Sequence, residues 1–161
     1  MEKTGAGPRK KEIFTTTEKI LIKDIAIEIQ ATIDRDQYFT NDTVNLIYSL
    51  KKYSTEYVTA ILNSKLINKW FKNNFEAGLH IKINQLSHIP LVQPNKATNK
   101  IIKVLVNNIL KLKSHDKDTK ALEQEIDNLV YKLYELTYDE VKVIDPAFGL
   151  NEAEYEAIKL E

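Results

Sequence analysis

The chain has 161 residues, 43% hydrophobic and 29% charged, with only 4 Gly and 4 Pro, a profile that excludes a disordered or fibrous chain and fits one globular domain. It contains no Cys, which excludes a disulfide framework and any thiolate metal site and sets the expectation of a cytoplasmic location. The formal net charge is zero but unevenly divided: −1 through Asp42, +9 from Thr43 to Lys113 (11 Lys against 2 Glu), and −8 from Ser114 onward.

A basic block attracts phosphate, because each phosphate it neutralises releases condensed counterions. The same block also describes a lysine-rich surface that pairs with the acidic part of its own chain, so charge alone suggests a partner without naming it. No apolar run approaches the ~20 residues of a membrane-spanning helix. No membrane partner is expected.

In chain order, residues 1–13 read as a leader or vector-derived segment, Met1 to Gly7 equally as a cut point inside a longer chain, and Leu160 and Glu161 read as vector-derived too. KILIKDIAIEIQATID, Lys19 to Asp34, is Ile-rich and partly alternating, with Ile25, Ile27 and Ile29 on one side; it predicts a strand. Asp34 to Gln37 is a polar turn, and YFTNDTVNLIYSL, Tyr38 to Leu50, predicts a second strand, making an antiparallel hairpin with the first.

STEYVTAILNSKLINKWFKNNF then repeats apolar residues at three and four (Tyr57, Ile61, Leu62, Leu66, Ile67, Trp70), which predicts a helix with Ser54 as N-cap and Glu56 in its first turn. Trp70 is expected to pack against the sheet rather than stack on a base. LHIKIN is a short alternating segment, followed by Pro90 and Pro94.

From Lys96 the pattern changes. Ile102, Leu105, Ile109 and Leu112 form one stripe and Leu122, Ile126, Leu129, Leu133 and Leu136 another, predicting two amphipathic helices joined at SHDKD as an antiparallel hairpin. Thr137 and Glu140 make a capping box for a short helix that Pro146 and Gly149 stop, and NEAEYEAIK is one more short helix. The fold class expected is α/β (α+β), a mixed sheet with a packed helix followed by a helical hairpin. The division expected is a recognition module over 14–95 and helices over 96–161.

The search for chemistry is negative. The sequence has no glycine-rich phosphate loop, no HExxH, no GxSxG and no Asn-Pro-Pro-aromatic motif. His80, His88 and His115 lack ligand-like spacing, and Asp24 and Glu28 have no lysine at the spacing of a metal-dependent nuclease. No catalytic residue and no metal are expected in this chain.

Four segments carry a resemblance: Tyr38 to Val44, Tyr57 to Asn68, Ile81 to Leu86 leading to Ile89-Pro90-Leu91, and Glu125 to Thr137. Taken in order they resemble the TaqI-like C-terminal specificity domain, the last segment being similar also to helices of type I specificity subunits. The likeness runs from about Phe14 to Asp145. Glu135 stands where that family usually has Gly, which implies a helix continuing past it. The family's upstream strand and its Trp- and Arg-containing lead-in have no counterpart before Phe14, as in an excised domain.

The resemblance implies sequence-specific binding of double-stranded DNA by a non-catalytic module. Its partners would be the methyltransferase and nuclease domains of a parent restriction-modification enzyme, a restriction endonuclease and adenine-specific methyltransferase. S-adenosylmethionine and magnesium are implied for that parent only, and the target base would be flipped out elsewhere.

Base readers are then expected in loops, where amides pair with adenine and guanidinium with guanine in the major groove: Arg35 and Gln37 at the hairpin tip, and Asn73, Asn74 and His80 around FEAGLH. Lys51, Lys52, Lys65, Lys69, Lys72 and Lys82 are expected at phosphates. The helical hairpin would act as appendage, spacer or self-association surface, its acidic end from Asp116 facing away from DNA. The competing expectations are a protein-interaction or spacer module with only non-specific DNA contact, and, least favoured, a nuclease in its own right.

Overall fold

The computed structural model describes residues 11–75 and 80–160. Most of the expected leader, Glu161 and the middle of the Phe75–His80 loop lie outside the described residues. Within them, eight helices surround a three-stranded antiparallel sheet, a mixed α/β architecture as the sequence implies.

The Ile-rich run is not one strand. It divides into β1 (Lys19–Lys23) and β2 (Ala31–Asp34), paired antiparallel from Lys19↔Asp34 to Ile22↔Ala31. β3 (Val44–Ile47) pairs with the other side of β1, Ile20 opposite Ile47, so the order is β2-β1-β3. The hairpin thus forms inside the first run, and the second run adds to its far edge. The physical reason lies at the two ends of that hairpin.

At one end Lys19 and Asp34, both with fully buried side chains, form an ion pair. In a straight strand the two would stand ~50 Å apart and each would need its own solvation. Lys19 Nζ also donates to the Phe14 carbonyl at 2.9 Å, and Asp34 accepts the backbone N–H groups of Asp36 and Tyr38 at 2.8 and 2.9 Å. Burial pushes the Asp34 carboxyl up, but the Lys19 ammonium and those N–H groups outweigh it and hold the group below the usual aspartate range. At the other end Ile29 is buried while Ile25 and Ile27 are 45% and 81% exposed, so the alternating isoleucines belong to a turn rather than to one face of a strand.

The predicted long helix is also broken. α2 (Thr55–Asn63) starts at Ser54 as expected, the Ser54 hydroxyl accepting from Tyr57 N–H, but it ends at Ser64. Ser64 is extended (φ −65°, ψ 148°); its N–H closes α2 on Ile61, and its hydroxyl caps α3 (Lys65–Asn74) by accepting from Ile67 N–H. One serine both stops and restarts the helix. Short helices α1 (Lys11–Phe14) and α4 (Ile83–Leu86) precede β1 and follow Ile81 respectively.

α5 (Lys96–Lys113) and α6 (Lys120–Leu133) form the expected hairpin, α5 resting on α2 and α6 on α3. Ile102, Leu105 and Val106 from α5 and Ile126, Leu129 and Val130 from α6 share one buried cluster with Ile20, Ile22, Tyr57, Ile61 and Ile67. Tyr131, Val141, Phe148 and Tyr155 build a second cluster under α7 (Tyr138–Ile144) and α8 (Glu152–Glu156). Both short helices open on capping boxes, Thr137 with Glu140 as expected and Asn151 with Glu154.

α6 does not run through Glu135. Leu136 N–H bonds to the Tyr131 carbonyl and Glu135 N–H to the Lys132 carbonyl, a Schellman closure with Glu135 in the left-handed region at φ 58°. A side chain there is strained by roughly 1–2 kcal/mol, so the position suits Gly whichever residue occupies it. Glu135→Gly is therefore expected to stabilise the fold by about 0.5–1 kcal/mol, the relief of strain being offset in part by the entropy of the unfolded chain. Urea unfolding of the two proteins measures the difference, and the sign should hold at high salt.

Candidate nucleic-acid interface

The β1–β2 turn, residues 24–30, is bound to the α2–α3 junction by amides that the sequence places at the helix break. The Asn63 side chain accepts from Ala31 N–H and donates to the Ala31 carbonyl, both at 2.8 Å, and so meets the outer edge of β2 as a neighbouring strand would. Buried Asn68 accepts from Ile29 N–H at 2.7 Å and donates to the Leu62 and Ser64 carbonyls. A buried backbone donor without a partner costs about 1–3 kcal/mol, so these amides fix where the turn lies.

The turn is fastened from its other side by the chain that follows the helix. Ile81 N–H donates to the Asp24 carbonyl at 2.7 Å, His80 Nδ1 lies 2.7 Å from Asp24 Oδ2, and Asn45 Nδ2 reaches both Asp24 and the Ile81 carbonyl. Lys72 Nζ meets Glu28 Oε1 at 2.6 Å. The result brings the end of α3, the isoleucine-tipped turn and the His80–Lys82 segment to one end of the sheet.

Of the residues expected to read or hold DNA, those at this end form one group. Lys69, Lys72 and Asn73 share the exposed face of α3; Asn74 is exposed with its amide donating to the Trp70 carbonyl at 2.8 Å; His80 and Lys82 are exposed beside the turn. Trp70 is half-buried against the core, its ring in a T-shaped contact with Phe75. Arg35, Gln37, Lys51 and Lys52 lie at the opposite end, where the chain leaves β2 and β3 beyond the Lys19–Asp34 pair. Gln37 holds a left-handed turn position (φ 59°). Lys52 sits 5.5 Å from the ring centre of Tyr53.

Arg35 is engaged within the chain. Its guanidinium donates to Glu18 at 2.7 Å, Asn107 at 2.9 Å and Glu56 at 3.0 Å, tying the end of β2 to α2 and α5. Burial pushes the Glu18 carboxyl up, but bonds from Thr55 and Arg35 outweigh it and keep the group low, as befits a standing partner for a cation.

The basic segment is only partly neutralised from within. Among the described residues Lys65 pairs with Asp145, Lys72 with Glu28, Lys103 with Glu56 and Lys113 with Glu123. Lys51, Lys52, Lys69, Lys82, Lys96, Lys100 and Lys111 have no carboxylate partner there, so a cationic excess stays on the surface. The self-pairing reading of the charge division accounts for some of these lysines and leaves the rest to solvent or to a polyanion.

Lys65 is also part of a buried polar joint between α3 and the C-terminal helices. Its backbone N–H donates to Asp127 at 2.9 Å and its ammonium binds Asp145 at 2.7 Å and Gln124 at 3.0 Å. Burial pushes the Asp127 carboxyl up to about 6, against the pull of Lys65 and with Asp145 adding to the rise. Among the described residues no group of three or more His, Cys, Asp or Glu is arranged to hold a metal ion, and no helix is long and apolar enough to cross a membrane.

A family model described as the TaqI-like C-terminal specificity domain matches residues 1–91, which takes in the sheet, α2, α3 and α4 and stops before α5. The segments Tyr38–Val44, Tyr57–Asn68 and Ile81–Leu86 lie within the match, and Glu125–Thr137 lies beyond it. No curated protein matches the chain.

Asn68→Ala removes the acceptor of the buried Ile29 N–H and is expected to cost about 1–3 kcal/mol in urea unfolding. Amide exchange at Ile29 should rise by more than the global loss requires, because the turn loses its own fastening. Asp127 gives a pH dependence whose sign is fixed by its folded-state value of about 6 lying above the ordinary 3.8. The native state holds this proton more tightly, so its contribution is full below about pH 4 and is lost as pH rises through about 6, on the order of 3 kcal/mol in all. Asp127→Asn keeps the acceptor for Lys65 N–H without the charge. Relative to wild type, its stability should therefore improve between pH 4 and pH 7, and urea midpoints at the two pH values test this.

Proposed function

We propose that the chain, which belongs to the TaqI-like C-terminal specificity domain family, reads a short sequence in duplex DNA and positions catalytic domains of a larger enzyme on it. Domains of this family serve DNA recognition in restriction-modification enzymes and are generally non-catalytic themselves. The observation that carries the finer reading is the convergence of α3, the 24–30 turn and His80–Lys82 at one end of the sheet. That end combines Lys69 and Lys82, which have no carboxylate partner among the described residues, and Lys72, paired with exposed Glu28, with exposed amide and imidazole groups.

Asn73 and Asn74 supply side chains that can pair with the edge of adenine, and His80 a ring nitrogen within reach of a base edge. Lys69, Lys72 and Lys82 flank them at the reach of phosphates, which would fix register without reading sequence. Gln37, Lys51 and Lys52 at the other end are assigned to flanking contacts. Arg35 reads guanine only by exchanging one of its three internal acceptors for the base, whereas in place it positions the end of β2.

Residues 14–95 then form the recognition module and 96–161 its helical support, with the acidic helices turned away from the DNA. The parent enzyme would supply adenine methyltransferase and endonuclease activities with S-adenosylmethionine and magnesium, and nothing in this chain is assigned to those reactions.

The test is a binding selection of the purified chain against random duplex DNA at ~50 and then ~150 mM salt, because rising salt weakens the sequence-independent phosphate contribution. A single short motif is expected to emerge for wild type. Asn73→Ala should blur one position of that motif, at a cost of about 1–3 kcal/mol for the cognate base pair, without changing the urea midpoint. Sequence-blind binding by wild type at both salts would sink base readout and leave an adaptor module.

A further inference from the structure

We infer that the solvent face of α5 is a second phosphate-binding strip, one that grips the backbone of duplex DNA without reading sequence. This rests on the DNA-recognition reading above and assigns to it a surface outside the convergent end of the sheet. α5 is 18 residues long and contains 5 lysines and no acidic residue. Its buried side packs on α2 through Ile102, Leu105 and Val106. On the other side Lys96, Lys100, Lys103 and Lys111 fall within an arc of about 80°, and Lys96 to Lys111 spans ~22 Å of helix axis.

Two features set this apart from an ordinary solvated face. Surface helices usually intersperse charges of both signs at spacings of three and four, and like charges at those spacings destabilise the helix. Here Lys96 and Lys100 stand four apart, Lys100 and Lys103 three apart, and the first turn carries a lysine where the macrodipole favours an acid. The local electrostatics oppose the helix unless an anion covers it. Second, Lys96, Lys100 and Lys111 have no carboxylate partner among the described residues, and Lys103 reaches only as far as Glu56, at 3.7 Å.

Asn99, Asn107 and Asn108 line the same shallow furrow with further amides, and exposed Val104 lies among them. A helix face of lysines and amides that carries no acid of its own suits a polyanion whose charges repeat along a line. At ~22 Å the row is long enough to reach phosphates on both sides of a major groove about 12 Å wide. Arg35 links Asn107 to the end of β2, so the strip is held on the same rigid core as the sheet.

The test is the salt dependence of binding by the 161-residue chain to a fixed duplex, comparing wild type with Lys96→Gln/Lys100→Gln/Lys111→Gln and with a control, Lys117→Gln/Lys120→Gln/Lys159→Gln, which removes the same charge from the acidic half. All six lysines are exposed and without a carboxylate partner among the described residues, so urea midpoints should be nearly unchanged. The α5 variant is expected to flatten the slope of log affinity against log salt by roughly 3, about one for each lysine, equally for all sequences. The control should leave the slope within about 1 of wild type.

An α5 variant that binds with wild-type slope, or a control that weakens binding as much, overturns the strip. If selection yields a motif while the α5 slope is unchanged, the strip falls and base readout stands. If no motif appears but the slope flattens, the strip stands and base readout falls. A chain that binds no duplex at low salt overturns both.

Discussion

The geometry of the candidate interface depends on a polar break in an otherwise apolar helical run. Asn63, Ser64 and Asn68 stand where a continuous helix would present them as stray polar groups beside a core. Ser64 leaves the helix to cap the next one, Asn63 pairs its amide with the Ala31 backbone, and Asn68 accepts from Ile29 N–H while donating to the Leu62 and Ser64 carbonyls. Those bonds decide that the Ile-rich run turns back as a hairpin. They also hold its turn against α3 and so decide which lysines and amides stand beside it. Without this junction the end of α3 and the β1–β2 turn would be tied directly only by the exposed Lys72–Glu28 pair.

This explains what the sequence made legible and what it did not. Periodicities of three and four located the helical segments, and hydroxyl caps located the starts at Ser54 and Thr137, because both signals are local. The hairpin within Lys19–Asp34 depends instead on long-range partners. Asn63 and Asn68 lie more than thirty residues from the backbone they bind, and Lys19 finds Asp34 only once the chain has turned. Alternation of Ile25, Ile27 and Ile29 suggested a sheet face, yet a turn with two isoleucines outward gives the same local pattern.

The segment Tyr57 to Asn68 is one of four that carried the family resemblance, and its polar residues Asn63, Ser64 and Asn68 are engaged with backbone groups of the chain itself. Candidate readers are the reverse case, side chains whose internal bonds are few, and sequence offers no local signal for that. Arg35 and Asn73 looked alike as loop residues with suitable chemistry. Only three acceptors around Arg35, drawn from three separate parts of the chain, distinguish them.

The division of charge along the chain can be followed to the same kind of outcome. Acidic residues of the C-terminal part are drawn to the basic segment where the two pack, as Asp145 to Lys65 and Glu123 to Lys113. Such pairs at partly exposed sites contribute little to stability, typically under 1 kcal/mol, so they are weak reasons for the sequence to keep the two blocks. Lysines that remain unpaired are weaker reasons still, since like charges along α3 and α5 repel. A charge pattern that costs the folded chain something and returns little within it is best understood through an external anion. On the proposed reading, the lysines of α3 beside exposed amides would serve specificity, and those along α5 would serve grip on the backbone.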